Sequence, residues 1–220
     1  MPYHGKASIG VSIFDPPQVS VQVAFQQAEL ALYEVKRDAK GAFRIFEAEM
    51  EELAKARRKL DTELREAISG GQLLPYYQPQ VDAQGQVRAM EALVRWNHPA
   101  EGLRGPVTFI PAAESSGHIL AIGQIMRDAV CRQLGLWAND PVRSKITLAV
   151  NVSATEFFDE GFVSSVIDSV SRHRFDPARL ELELTESQFI KNFDQALIKM
   201  SALKGIGGNR PVGTACLMAG

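Results

Sequence analysis

The chain has 220 residues, of which 45% are hydrophobic and 23% are charged, and its formal net charge is -2 at pH 7. This length suits one large or two small globular domains. So small a charge gives no reason to expect a nucleic acid polymer as partner. The sequence has no secretory signal and no run apolar enough for a membrane segment, and its two cysteines lack metal-type spacing, so a cytoplasmic location is predicted.

The first 46 residues predict a strand, a helix and a second strand. Apolar residues alternate along residues 7–14, and residues 42–46 form a second short strand pattern. Between them, residues 20–38 have helical periodicity, and the predicted buried stripe is Phe25, Ala28, Leu32 and Val35. A unit this small buries little apolar surface alone, so we expect a piece of an α/β domain.

Three short motifs carry a family resemblance in this region: Ala7-Ser8-Ile9-Gly10-Val11, Ala28-Glu29-Leu30-Ala31-Leu32-Tyr33 and Phe43 to Phe46. They resemble the C-terminal end of a GGDEF (diguanylate cyclase) domain. The resemblance places Lys36 and Lys40 where that family has phosphate-contacting basic residues. The metal-binding aspartate and the Gly-Gly-Asp-Glu-Phe hairpin of that family do not occur here, so both lysines are interpreted as a solvated helix end and cyclase activity is excluded.

Residues 47–68 predict a charged helix that ends at Ser69-Gly70-Gly71. Its apolar residues follow three- and four-residue steps, with Arg57 interrupting the stripe: Met50, Leu53, Leu60, Leu64 and Ala67. This pattern is typical of a connector helix that packs against a neighbour or a second copy of itself. A homodimer, or a partner chain bound through this helix, is therefore predicted.

From residue 73 onward, predicted strands and helices alternate. The strands are residues 74–81, 87–96, 146–153 and 180–185. The helices are residues 109–116 and 118–138, one that contains residues 163–170, and one that contains residues 189–203. In the longest helix, the predicted buried side is Ile122, Met126, Ala129, Gln133 and Trp137. Repeated strand–helix units predict a parallel sheet, and a TIM-type (β/α) barrel is the leading fold within the α/β class.

Three of these strands alternate apolar and polar residues, although strands covered on both faces are usually continuously apolar. The apolar residues must face the covering helices, so the polar ones point into the barrel. Glu91, Asn151 and Glu183 lie towards the carboxyl ends of their strands, where barrel active sites are built. Their oxygen atoms favour Mg²⁺ or Mn²⁺, and Arg95 suits a phosphate. An inner network of glutamate–arginine ion pairs is the alternative.

Four motifs occur in order along this region: Tyr77-Gln78-Pro79, Glu91-Ala92-Leu93-Val94-Arg95-Trp96, Asn151-Val152-Ser153 and Glu183-Leu184-Thr185-Glu186-Ser187. They resemble the N-terminal half of an EAL domain, the cyclic di-GMP phosphodiesterase family. The resemblance implies that the metal ligands include Glu91, Asn151 and Glu183 and that Glu186 anchors a neighbouring loop. It also implies that cyclic di-GMP contacts Gln78, Leu93 and Arg95. The implied reaction is metal-dependent hydrolysis to linear pGpG.

The last residues depart from this resemblance, because the sequence has no Asp or Glu after Asp194 and lacks the family's Asp-Asp-Phe-Gly-Thr-Gly strand. We therefore expect a truncated product, by frameshift or early stop, with weak stability and an open sheet edge at residues 180–185. The predicted domains are a GGDEF remnant, a connector helix, an incomplete EAL barrel and an off-family tail: residues 1–46, 47–70, 71–206 and 207–220. The predicted function is that of a cyclic di-GMP phosphodiesterase whose hydrolysis is lost; the alternative is a non-catalytic module that binds cyclic di-GMP or another protein.

Overall fold

The structure is a computed structural model that describes residues 6–15, 18–38, 41–185, 193–205 and 213–217. The chain divides into two compact units, Met1–Thr62 and Glu63–Gly220. Strands and helices are mixed in both, which confirms the predicted α/β class. Among the described helices, none combines the length and the apolar character that crossing a bilayer requires.

The first unit begins with strand β1 (Ile9–Val11), helix α1 (Val21–Asp38) and strand β2 (Phe43–Ile45). The two strands pair in parallel, with Ile9 opposite Phe43 and Val11 opposite Ile45. Both strands are shorter than predicted. Lys36 is exposed, and Lys40 lies outside the described residues.

The buried stripe of α1 differs from the predicted one. Ala24, Ala31 and Val35 are buried, whereas Phe25 is 69% exposed. The helix packs closely on Gly10 of β1, where an added Cβ would be 2.0 Å from the carbonyl oxygen of Ala28. A larger residue at position 10 would overlap with the backbone of α1.

Helix α2 (Ala48–Ser69) agrees with the predicted helix to within one residue at each end. After Ser69 the chain turns at Gly71, which has a φ of +65°, and the N–H of Gln72 donates to the carbonyl of Ala67. Met50, Leu64 and Ala67 are buried, but Leu53 is exposed, so the predicted apolar stripe is not continuously buried. Its role as a connector stays a prediction.

The second unit contains a sheet in the order β3-β4-β6-β7-β8, with the short strand β5 paired to β4. The strands are β3 (Leu73–Val81), β4 (Val87–His98), β5 (Gly102–Arg104), β6 (Thr147–Asn151), β7 (Leu180–Thr185) and β8 (Gly213–Leu217). Strands β4, β6 and β7 are parallel, as predicted, and β8, which was not predicted as a strand, also pairs in parallel with β7. Strands β3 and β4 are antiparallel. Their connection around Gly85 is a tight turn, and a short connection can join only antiparallel neighbours.

Five helices accompany this sheet in the described residues. They are α3 (Ile110–Ser116), α4 (Ile119–Trp137), α5 (Ala154–Phe157), α6 (Phe162–His173) and α7 (Phe193–Lys204). The buried side of α4 runs through Ile119, Ile122, Met126, Val130 and Leu134. Ala129, Gln133 and Trp137, which were predicted on this side, are only half-buried. The helix is therefore rotated slightly from its predicted orientation.

Strand β8 corrects the expectation of an open edge at residues 180–185. It pairs in parallel with β7, with Glu181 opposite Gly213 and Thr185 opposite Leu217. Residues 213–217, predicted as an off-family tail, thus satisfy backbone groups of β7 that an open edge would leave to solvent. Within the described part of this unit, β3 and β8 each have one strand neighbour, so the sheet is not closed there.

The contact at Gly10 generates the first prediction. Gly10→Ala places a methyl group against the backbone of α1, so we expect it to destabilise the first unit by about 1–3 kcal/mol. Urea denaturation followed by hydrogen exchange of peptides from residues 6–38 measures this. The matched control is Gly105→Ala, because an added Cβ there meets no atom within 4 Å. Equal effects of the two variants would contradict the close approach.

Candidate functional site

The registers of the sheet bring the predicted polar residues to one face. Gln78 of β3 lies opposite Glu91 of β4, and Glu91 pairs with Ala149 of β6. Asn151, at the end of β6, pairs with Glu183 of β7. Paired residues of neighbouring strands point to the same face. Four carboxyl or amide side chains, those of Gln78, Glu91, Asn151 and Glu183, therefore project from neighbouring strands on one side of the sheet.

The opposite face explains why these side chains point away from the helices. It carries residues with almost no exposed surface: Ala92, Leu148, Val150, Leu182 and Leu184. Burying such residues under helices is the main favourable contribution to folding. A shift of register by one residue would bring the carboxylates under the helices, so the apolar face determines where the acidic residues lie.

Asn151 and Glu91 are in direct contact. The side-chain Nδ2 of Asn151 donates a hydrogen bond of 2.6 Å to Oε1 of Glu91. Since Nδ2 is engaged, the Oδ1 of Asn151 is the atom available to a further partner. The structure thus brings together the amide and one carboxylate of the predicted ligand set.

Glu183 has an unusual environment for a carboxylate. Its residue surface is only 6% exposed, and its Oε2 is buried with no hydrogen-bond partner among the described residues. Burial, together with the nearby charges of Glu91 and Glu181, raises the pKa of Glu183 to about 7. Glu181 was not among the predicted site residues, although the same alternation places it on this face.

These donors fit a hard divalent cation. Two carboxylates lie near each other with a buried, unpartnered oxygen between the strands, and an amide oxygen is available beside them. Within residues that the structure describes, however, no group of three or more His, Cys, Asp or Glu side chains could hold a metal by itself. Glu91, Asn151 and Glu183 are the oxygen-bearing side chains that the described residues bring to this place.

The predicted nucleotide contacts lie on the same face with different exposures. Gln78 is exposed, whereas Leu93 and Arg95 are half-buried. The Nη1 of Arg95 donates to the backbone oxygen of Val94. Glu186 lies outside the described residues, and its role as anchor of a neighbouring loop stays a prediction.

A cavity of about 300 Å³ adjoins Asn151 and Leu93. Its wall is formed mainly by apolar side chains, including Ile122 and Met126 of α4, and also includes Glu114. Glu114 belongs to α3.

The carboxyl end of β4, which carries Arg95, is held by a cluster around Trp96. The Nε1 of Trp96 donates a 3.0 Å hydrogen bond to Oε1 of Gln72, and its ring packs edge-on against Phe109. The Nδ1 of the buried His98 accepts hydrogen bonds from the backbone N–H groups of Ala100 and Glu101. These contacts hold the carboxyl end of β4, where Arg95 lies, in one position.

Comparisons with known proteins point to one family. The profile of the EAL domain matches residues 61–209. The chain is 36% identical over 202 residues to "Bifunctional diguanylate cyclase/cyclic di-GMP phosphodiesterase MucR" of Pseudomonas aeruginosa, covering 91% of this chain and 29% of that protein. It is 32% identical over 200 residues to "Cyclic di-GMP phosphodiesterase PdeR" of Escherichia coli, covering 91% of this chain and 30% of that protein.

A solved structure agrees with these relatives. The structure titled "PaMucR Phosphodiesterase, c-di-GMP complex" has a TM-score of 0.66 and 39% sequence identity to this chain, covering 71% of this chain and 62% of that chain. By comparison, the chain spans less than a third of the length of the two curated relatives named above.

The environment of Glu183 predicts a pH dependence of stability in the absence of metal. Because the pKa rises from 4.5 to about 7 on folding, the folded chain holds this proton more tightly than the unfolded chain. The contribution of Glu183 to the free energy of unfolding is therefore complete below about pH 4.5 and is lost as the pH rises through 7. We expect Glu183→Gln to be more stable than the unaltered chain by about 1–2 kcal/mol at about pH 8 and equally stable at about pH 4.

Urea denaturation in the presence of a chelator, repeated across this pH range, measures the difference. The control is Glu160→Gln, which changes an exposed glutamate in the same unit and should leave the pH profile unaltered. A constant difference between Glu183→Gln and the unaltered chain at all pH values would show that Glu183 is not perturbed by its surroundings.

Proposed function

Because this chain belongs to the EAL domain family, we propose that it carries a cyclic di-GMP phosphodiesterase site, built for metal-dependent hydrolysis of cyclic di-GMP to pGpG. The observation that supports this most is the placement of Glu91, Asn151 and Glu183 on one face, with Asn151 hydrogen-bonded to Glu91. The Oε2 of Glu183 is buried there without a hydrogen-bond partner among the described residues. A relative named as a cyclic di-GMP phosphodiesterase aligns over 91% of the chain.

In this proposal, Glu91, Asn151 and Glu183 hold Mg²⁺ or Mn²⁺. The two carboxylates supply negative charge, and Oδ1 of Asn151 is available because its Nδ2 donates to Glu91. When bound, the cation would supply Lewis-acid chemistry to phosphodiester hydrolysis. The chain's own contribution is to hold these oxygens at one end of neighbouring parallel strands.

The substrate contacts are proposed from the same face. Arg95 is suited to a phosphate of cyclic di-GMP because a guanidinium donates two parallel hydrogen bonds to such a group. Leu93, in the cavity wall, and Gln78, opposite Glu91, would contact the remainder of the nucleotide. Glu186 keeps its proposed role as the anchor of a neighbouring loop.

A second function, binding of cyclic di-GMP without hydrolysis, is favoured by one feature. Among the described residues, no group of three or more His, Cys, Asp or Glu side chains could hold a metal. A site with too few acidic ligands retains a phosphate clamp while losing the means to stabilise the transition state.

The domain organisation is also part of the proposal. We retain residues 1–46 as the end of a GGDEF domain, 47–70 as a connector helix and a dimer or partner contact, 71–206 as the EAL portion, and 207–220 as a tail. The division of the chain between residues 62 and 63 supports two units but falls inside α2. A cytoplasmic location suits a protein that acts on a nucleotide second messenger.

Titration calorimetry of the chain with cyclic di-GMP and Mn²⁺, together with chromatography of released pGpG, tests both functions. We expect binding that weakens by about 10- to 100-fold in Arg95→Ala, because charge-assisted hydrogen bonds to phosphate are lost. Arg88→Ala is the matched control, since Arg88 lies on the same strand but pairs with Asp82 at the turn.

The outcomes separate the candidates. Release of pGpG that requires Mn²⁺ and disappears in Glu91→Gln supports the phosphodiesterase. Binding without pGpG supports the second function. If the folded chain neither binds nor hydrolyses cyclic di-GMP, both are refuted.

A further inference from the structure

A charged pair is buried on the helical side of the sheet, away from the inner face. Arg127 of α4 and Glu156 of α5 form an ion pair through Nη1 and Oε1, and the two residues are only 4% and 3% exposed. Ile122 and Met126 line the same cavity as Glu156, and the neighbouring Phe157 is also buried. Charged residues this deeply buried are uncommon, and they need a reason beyond solubility.

The helix α4 has no side chain where the carboxylate of Glu156 lies. A Cβ added to Gly123 would be 2.2 Å from the carboxyl atoms of Glu156. Gly123 and Arg127 are one helical turn apart on the same side of α4. The glycine admits the carboxylate, and the arginine pairs with it.

Arg127 also contacts α6. Its Nη2 donates a 3.2 Å hydrogen bond to Oγ of Ser165, and its guanidinium lies 5.0 Å from the ring centre of Phe162. Burial lowers the pKa of Arg127 to about 10, so it remains charged at neutral pH. One guanidinium therefore joins three helices that pack near the carboxyl end of β6.

Glu156 is connected closely to Asn151. The strand β6 ends at Asn151, and Ser153 caps the following helix by accepting a 3.2 Å hydrogen bond from the backbone N–H of Glu156. Between them, the N–H of Val152 donates to the backbone oxygen of Glu183. The segment from Asn151 to Glu156 is thus held by β7 at one end and by Arg127 at the other, and both Asn151 and Glu156 line the 300 Å³ cavity.

Buried ion pairs contribute little net stability, because the cost of removing two charges from water offsets most of their attraction. Such a pair instead favours a single arrangement of the elements that carry it, since displacing either partner leaves an uncompensated buried charge. We propose that Arg127 and Glu156 are positioning residues that hold the β6–α5 segment so that the amide of Asn151 is directed towards Glu91 and the cation. This inference rests on the proposed role of Asn151 as a ligand.

The test compares two single substitutions: one changes Glu156, which pairs with α4, and the other changes Asp128 on α4 itself. Glu156→Gln keeps the size of the side chain and removes its charge. The matched control is Asp128→Asn, which removes the ion pair between Asp128 of α4 and Arg172 of α6 and leaves α5 untouched. Both are made in the full chain, and the free energy of unfolding of each is measured by urea denaturation.

The first readout needs no ligand. In ¹⁵N-resolved NMR spectra, the side-chain amide signals of Asn151 report its 2.6 Å hydrogen bond to Glu91. We expect these signals to shift in Glu156→Gln and to stay in place in Asp128→Asn. The second readout is the affinity for Mn²⁺, expected to fall by about 10-fold or more in Glu156→Gln and by less than about 2-fold in Asp128→Asn, as is typical when outer partners of metal ligands are removed.

A third variant separates loss of the ion pair from loss of folding. Arg127→Met combined with Glu156→Met replaces the pair by apolar side chains and should fold, because such replacements are often neutral or stabilising. We expect it to retain stability while showing the shifted Asn151 signals. Unshifted signals in both Glu156→Gln and the double variant would overturn the inference. If instead the unaltered chain binds neither Mn²⁺ nor cyclic di-GMP, the proposed function fails, while the Asn151 signals still decide the positioning role.

Discussion

The parallel pairing of β6 with β7 is the constraint on which the candidate site depends. It sets Asn151 beside Glu183 on one face, and on the other face it sets leucines and valines that have almost no exposed surface. Neither face can be changed alone, because residues alternate along each strand. The hydrophobic contacts that stabilise the second unit therefore also force acidic side chains to lie close together.

Much of this arrangement could be predicted from the sequence because it is local. Alternation along a single strand is visible in a few residues, so the placement of Glu91, Asn151 and Glu183 on one face followed from the pattern alone. The oxygen donors of these residues predicted a cation, with an ion-pair network as the alternative, and the resemblance added the nucleotide substrate. The apolar partner residues of α4 were predicted only in part, since the rotation of a helix depends on what it packs against.

The features that were missed depend on distant partners. Phe25 was expected to be buried but is 69% exposed, since the side of a helix that is buried depends on what packs against it. Residues 213–217 carry a weak strand pattern, and it is the pairing with β7 that makes them a strand. Arg127 and Glu156 lie far apart in the chain, and each alone resembles an ordinary surface charge on a helix. Sequence patterns do not reveal which charges will meet.

The raised pKa of Glu183 has a consequence for how a cation would be taken up. A carboxyl group whose pKa is about 7 is protonated in roughly half of the molecules at neutral pH. A divalent cation can coordinate it only after that proton leaves. Uptake of metal would therefore acidify an unbuffered solution, and the heat measured on binding would vary with the ionisation enthalpy of the chosen buffer.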